Sequence, residues 1–244
     1  MPLSLRHDSR HRIVWPVSTL LLLTILLTAG AACTPQRESV KPGINDRYFD
    51  PELNVDEWVG RFEGESREVF ACRSEIMARV QLRSDHVVAD VGAGTGLFTP
   101  FLADKTKNGG KVIAVDIIPK FLDHIRTKAD ERGLRNVETH LCSETSIELP
   151  RNSVDAIFTS DTYHHFEYPH DTLKSMYHAL RKGGTLYVLD FERIEGTSRE
   201  WILGHVRAGK ETVIDEIKAA GFRYEGEMTP DCLEENYMIR FTKR

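Results

Sequence analysis

Six consecutive residues of this 244-residue chain, Asp161-Thr162-Tyr163-His164-His165-Phe166, bring together a carboxylate, a hydroxyl, a phenol and two imidazoles. Imidazoles titrate near neutral pH, so His164 or His165 can take a proton from an arriving nucleophile, with Tyr163 as the expected hydrogen-bond partner. A second group is Asp90-Val91-Gly92-Ala93-Gly94-Thr95-Gly96, whose glycines allow a sharp turn and close approach of a ligand to the main chain. The dinucleotide fingerprint G-x-G-x-x-G places a third glycine where this chain has Leu97. Asp90 would also repel a pyrophosphate, whereas it suits a cationic ligand. Asp116, 20 positions beyond Gly96, stands where a carboxylate can accept both hydroxyls of a ribose. His205, Arg207 and Lys210 form a third group that could hold an anionic substrate. Arg67, in the helix before the first strand, reads as surface charge, with pairing to a ligand carboxylate as the alternative.

These residues fall at the ends of expected strands. Apolar runs predict strands at 86–91, 111–117, 136–141, 154–160 and 185–190. Amphipathic spacing predicts helices at 66–80, 97–107, 119–132, 170–180 and 206–220, with glycine stops after several. Such alternation means an α/β fold, a doubly wound and mostly parallel sheet with helices on both faces. Strands at 222–227 and 237–242 have no helix between them, so they should close the chain as an antiparallel hairpin. The expected seven-stranded order is 3-2-1-4-5-7-6. Ligands of such folds bind beyond the carboxyl ends of the strands, where strand order reverses.

Thirty-two Lys+Arg against 37 Asp+Glu argue against a general nucleic-acid binder, which needs a dense basic face. Cys33, Cys72, Cys142 and Cys232 lie far apart without a C-x-x-C pair. Neither a disulfide framework nor a metal site is expected, and buried apolar thiols are. Residues 1–32 pair a basic start with an apolar run and a small-residue end, which reads as a signal peptide or membrane anchor. Gly30-Ala31-Ala32-Cys33 resembles the lipobox of bacterial lipoproteins, with Cys33 as the lipidated residue. Membrane contact is thus expected through the N-terminus only, and the domain in the cell envelope; a start assigned too far upstream would leave it in the cytoplasm. Residues 33–51 are mixed in charge and aperiodic and read as a linker, leaving 52–244 as the folded domain.

Over about residues 64–244 the chain resembles the class I S-adenosylmethionine-dependent methyltransferases, and within them the ubiquinone/menaquinone-type and exported bacterial members. VVADVGAGTGLFT at 87–99 is similar to their first motif, and VIAVDI at 112–117 to their second. SVDAIF at 153–158 and LRKGGTL at 180–186 are similar to their fourth strand and the turn into their fifth. The resemblance implies that Asp90, Gly92, Ala93, Gly94, Thr95 and Gly96 cradle S-adenosylmethionine. Asp116 and Ile117 would meet its ribose, Ser143 or Glu144 its adenine, and Asp161 would stand near its sulfonium. Where many relatives have Asp-Ala after the third strand, this chain has Cys142-Ser143-Glu144. The acceptor is expected to be a small molecule. A nicotinamide oxidoreductase on the same sheet is disfavoured by Leu97 and Asp90, and a non-catalytic S-adenosylmethionine-binding module is the other alternative.

Overall fold

The computed structural model describes residues 38–64 and 67–244; the expected signal segment and Cys33 lie outside the described residues. Seven strands form one sheet in the order β3-β2-β1-β4-β5-β7-β6. They are β1 (Val87–Val91), β2 (Lys111–Asp116), β3 (Val137–Leu141), β4 (Val154–Ser160), β5 (Leu180–Phe191), β6 (Phe222–Glu227) and β7 (Asn236–Lys243). The first five are parallel, and β7 lies antiparallel between β5 and β6. This is the topology expected from the sequence. It follows from helical crossovers between parallel strands and a helix-free return at the end.

Alternate residues of the central strands β1, β2, β4 and β5 feed two cores. On one face Ala89, Val115, Ile157, Leu186 and Val188 pack with Leu173, Met176 and Ile217 of α6 (Pro169–Ala179) and α8 (Lys210–Ala219). On the other, Val88, Val112, Phe158, Tyr187 and Leu189 pack with Ile76 of α3 (Arg73–Arg79) and Leu102 of α4 (Thr99–Lys105). The switch of face at successive residues is the period-two geometry of a pleated strand. Burial on both faces explains why the strands read as unbroken apolar runs.

Several boundaries differ from expectation. The helix predicted over 66–80 is two helices, α2 (Glu68–Ala71) and α3, meeting at Cys72, and Cys72 forms a disulfide with Cys232. That bond corrects the reading of isolated thiols: the partners are 160 residues apart, beyond what spacing reveals, and the fold brings their Cα atoms to 5.9 Å. The fifth strand begins at Leu180, running through Gly183-Gly184 with a shift of register against β4. A side chain at 184 would lie 2.8 Å from the Asp155 carbonyl oxygen, so only glycine fits there. The helix predicted over 206–220 is α8 preceded by a separate short α7 (Glu200–His205).

The stretch read as a linker is folded onto the domain from residue 38. Ile44 and Asn45 are buried. Val40 donates its N–H to the Glu167 carbonyl at 2.9 Å, and the Glu167 carboxylate accepts from Ser39 Oγ at 2.6 Å and Gly43 N at 3.1 Å. This strap then passes a short 3-10 turn (Asp46–Tyr48) into α1 (Val55–Phe62), capped by Asn54. Trp58 of α1 packs with Leu53, Ile118 and Phe121, forming an apolar lid beside the end of β2. Among the described residues, no helix is long and apolar enough to cross a membrane.

Candidate active site

The carboxyl ends of β1, β2 and β4 open into one cavity of about 640 Å³. Gly92, Gly94 and Gly96 all have positive φ, at 67°, 55° and 87°, the left-handed region that glycine enters without strain. A Cβ at 92 would fall 2.0 Å from the Thr162 side chain, so this glycine also makes room for the neighbouring loop. The loop's N–H groups turn inward: those of Gly92 and Ala93 donate to the Val115 carbonyl, and that of Gly94 donates to Asp116 Oδ2 at 2.8 Å. Asp116 Oδ1 accepts from Ile118 N at 2.9 Å. A carboxylate has about four acceptor sites, so Asp116, which lines the cavity, keeps capacity beyond these bonds. Thr95 is held by its Oγ1 donating to Glu63 Oε1 at 2.8 Å, which ties α1 to the loop.

Both acids are costly to ionise where they stand. Burial pushes the Asp90 carboxyl up to about 7, against a 2.7 Å hydrogen bond from Thr99 Oγ1 that favours the charged form. Burial pushes Asp116 up to about 6, opposed by the N–H groups of Gly94 and Ile118. Among the described residues, neither has a basic side chain bonded to it. Two buried carboxyls that face the cavity suit a ligand that brings hydroxyl donors and positive charge.

Asp161 follows β4 with φ at 49°, rare for a residue with a side chain. Burial raises its carboxyl to about 6, with Arg67 opposing; Arg67 donates to Oδ2 and Asn236 to Oδ1 at 2.6 Å. Arg67 is therefore engaged inside the site and not a surface charge. Thr162 Oγ1 donates to the Gly92 carbonyl at 3.1 Å, joining this loop to the glycine loop. His164 is buried; its Nδ1 donates to Asp190 Oδ1 at 2.7 Å, and its backbone N–H to Asp190 Oδ2 at 2.9 Å. His165 Nδ1 lies 3.1 Å from Asn45 Oδ1. Burial drives the His165 imidazole well below its usual range, with His164 and His205 adding to the effect.

Tyr163 departs from expectation. It points away from the cavity, fully buried, and donates its hydroxyl to Glu216 Oε2 at 2.7 Å. Consecutive residues of a tight turn project to different sides, so Tyr163 serves the core beneath while the two histidines face the ligand space. The third group also separates. Arg207 makes a two-pronged pair with Glu216, and Lys210 is matched by Glu192 and Glu227. Only His205 reaches the cavity, stacked on Trp201 with ring centroids 4.9 Å apart. Burial lowers it to about 4.

Ile117, Ser143 and Glu144 line the cavity beyond β2 and β3. Sequence reasoning missed Asn45, Tyr48, Trp58 and Phe62, which line it from the strap and α1, and Asp190, which stands behind His164. Asp190 had a signal, an acid at the end of a predicted strand. So did α1: Asn54 before Asp56 and Glu57, with Val55, Trp58, Val59 and Phe62 at helical spacing.

Residues 89–188 match the model of a methyltransferase domain family. An uncharacterized methyltransferase of Staphylococcus carnosus is 34% identical over 128 residues, 52% of this chain and 57% of that protein. The ubiquinone/menaquinone biosynthesis C-methyltransferase of Escherichia fergusonii is 31% identical over 113 residues, 46% of this chain and 45% of that one. This chain thus spans about half the length of these curated relatives. Among solved structures, an S-adenosylmethionine-dependent methyltransferase from Aquifex aeolicus superposes with a TM-score of 0.67 at 20% identity, over 79% of this chain and all of that one. The glycine loop and the strand-end acid Asp116 fall within the stretch, residues 89–188, that matches the methyltransferase domain family, and the fold is similar to that of the Aquifex aeolicus enzyme.

Proposed function

We propose that this protein transfers a methyl group from S-adenosylmethionine to a small-molecule acceptor held on the β4–β5 side of the cavity. The carrying observation is that one cavity joins Asp116 and the glycine loop, on the β1–β2 side of the sheet reversal, to His164, His165 and His205 on the other. The residues fit the cofactor. Asp116 keeps acceptor capacity for a ribose diol, Asp90 and Asp161 favour positive charge, and Ser143 and Glu144 offer polar atoms for a base. The loop's inward-turned N–H groups leave few donors for a pyrophosphate, which supports this reading over a nicotinamide one.

When bound, S-adenosylmethionine supplies an electrophilic methyl on a sulfonium. The chain's part is alignment and exclusion of water. Trp58 and Phe62 cover the cavity from α1, and the Arg67–Asp161 pair fixes the start of α2 against the loop after β4. His164 and His165 line the acceptor side of the cavity. The test is calorimetric titration of the full-length chain with S-adenosylmethionine and with NAD. One-to-one binding of the first alone is expected; binding of NAD alone would overturn the reading.

We further propose that residues 1–32 carry the domain to the cell envelope, anchored at Cys33, so that membrane contact runs through the N-terminus only and nucleic acid is not a partner. The Cys72–Cys232 disulfide supports this, because such bonds persist in oxidising compartments. Fractionation of cells making the chain or Cys33→Ser checks it: the first should sediment with membranes, and only the variant should be released.

A further inference from the structure

Three imidazoles from two separate segments meet at the acceptor side of the cavity. One ring nitrogen each of His164, His165 and His205 lies within 4.8 Å of the other two. The ring centroids stand 4.3, 5.1 and 5.1 Å apart. We infer that this cluster is a binding site for a divalent first-row transition ion, zinc foremost, and that the ion holds the methyl acceptor.

The hydrogen bonds behind the rings decide which nitrogens are free. Asp190 Oδ1 can only accept, so His164 Nδ1 carries the proton and Nε2 keeps a lone pair. The Asn45 amide is oriented by its Nδ2, which donates to the His165 carbonyl at 3.1 Å and approaches Glu144 Oε1 at 3.5 Å. Its Oδ1 therefore faces His165 Nδ1, which must donate, leaving Nε2 free there too. A carboxylate or amide oxygen behind each imidazole is the arrangement that orients metal-bound histidines and raises their basicity. His205 has no hydrogen bond to its ring among the described residues; Trp201 alone holds it by stacking.

Tetrahedral zinc with bonds of about 2.0–2.1 Å needs nitrogens about 3.4 Å apart, so the rings must close by at most about 1.4 Å. His205, on the short helix α7, is the one free to swing. Three neutral nitrogen ligands leave a fourth position open, the composition of a catalytic rather than a structural site. Imidazole donors favour zinc, copper, nickel or iron over magnesium or calcium. A second gathering, Cys72, Glu75 and Cys232, has its two sulfurs joined in a disulfide and offers no thiolate.

The inference rests on the proposed methyl transfer and narrows its acceptor. An acceptor X–H that ligates the ion does so as X⁻, its proton passing to solvent, and so becomes a nucleophile at neutral pH. Phenols, catechols and thiols ligate in this way; amides and unactivated carbon do not. The ion would thereby supply the activation for which a histidine base was expected.

The test uses the full-length chain, oxidised, without a polyhistidine tag and stripped by chelator, titrated with Zn²⁺ and with Co²⁺. One ion per chain is expected, with visible Co²⁺ absorption of the intensity that tetrahedral coordination gives. His205→Ala, which removes a partly exposed ring and no hydrogen bond, should weaken binding at least tenfold; Asp190→Asn should weaken it about 10- to 100-fold. S-adenosylmethionine binding is measured on the same samples. If it persists while no ion binds more tightly than millimolar, or while His205→Ala binds the ion as the parent does, the metal site is wrong and the methyltransferase reading stands. Ion binding without S-adenosylmethionine binding overturns the methyltransferase reading instead.

Discussion

Replacing Asp90 by Asn should make the ligand-free protein more stable and its cofactor affinity less sensitive to pH. Burial raises this carboxyl from 3.8 to about 7. A folded-state pKa above the unfolded one means that the native state holds the proton more tightly. The associated stability is fully present below pH 3.8 and is lost as pH rises through about 7. At 1.36 kcal/mol per unit, ionisation at pH 8 costs the native state roughly 4 kcal/mol. Asn removes that cost and keeps an acceptor for Thr99, but its amide N–H groups need partners, a penalty of about 1–3 kcal/mol. The net gain at pH 8 is then about 1–3 kcal/mol, or about 2–4 °C in Tm per kcal/mol, and it reverses to a loss of about 1–3 kcal/mol below pH 4, where only the amide penalty remains. A cationic ligand should draw the proton off Asp90, so affinity should fall by about tenfold from pH 8 to pH 6 in the parent from this group alone. The variant should keep only the smaller shares, about twofold each, from Asp116 and Asp161 near 6. Thermal melts and calorimetry across that range read both effects. A folded variant that is less stable at pH 8, or that keeps the parent's pH dependence of binding, would refute the reasoning.

Asp116→Ala removes the acceptor of the proposed ribose hydroxyls and should weaken S-adenosylmethionine binding about 10- to 100-fold, from charged hydrogen bonds worth about 1.5–3 kcal/mol. An unchanged Kd in the folded variant would remove Asp116 from the site. Cys232→Ser opens a link between residues 160 apart and should lower stability by about 2–5 kcal/mol, read as the urea midpoint with and without reductant. Equal midpoints for parent and variant under oxidising conditions would show that the bond does not form.

The sheet was legible because its signals are local and repeated. HVVADV and KVIAVDI are buried on both faces, so period and run length alone identify them, and the crossover rule then orders the strands. The glycine loop and Asp116 were legible for a related reason: each sits at a strand end that the pattern already marks. Boundaries set by single contacts were not. Cys72 interrupts a helix that continuous apolar spacing predicted, and its partner is 160 residues away. Tyr163 shares a motif with His164 and His165, yet the turn sends it away from the cavity to Glu216 of α8. Arg207 and Lys210 stand near His205 in sequence, and glutamates from α8, β6 and the end of β5 claim both.

The strap shows why adjacency in sequence says least where the chemistry is densest. Residues 38–50 have no periodicity to detect, because they bury few side chains and bind through isolated polar groups. Lys41 donates from Nζ to the Gly204 carbonyl at 2.8 Å, while Asn45 bonds His165 through both its side-chain atoms. Tyr48 packs its ring on both Trp58 and His165. One short segment therefore contacts α1, the loop after β4 and the end of α7, the elements that bound the acceptor side. His164 and His165 are set by a strand end, His205 by a separate helix, and the strap is what joins the two supports. Its composition resembles a linker because tethering of this kind needs donors at a few defined places and no apolar face. The position of the three imidazoles is thus a property of the closed fold, and the apolar pattern that specifies the sheet carries no trace of it.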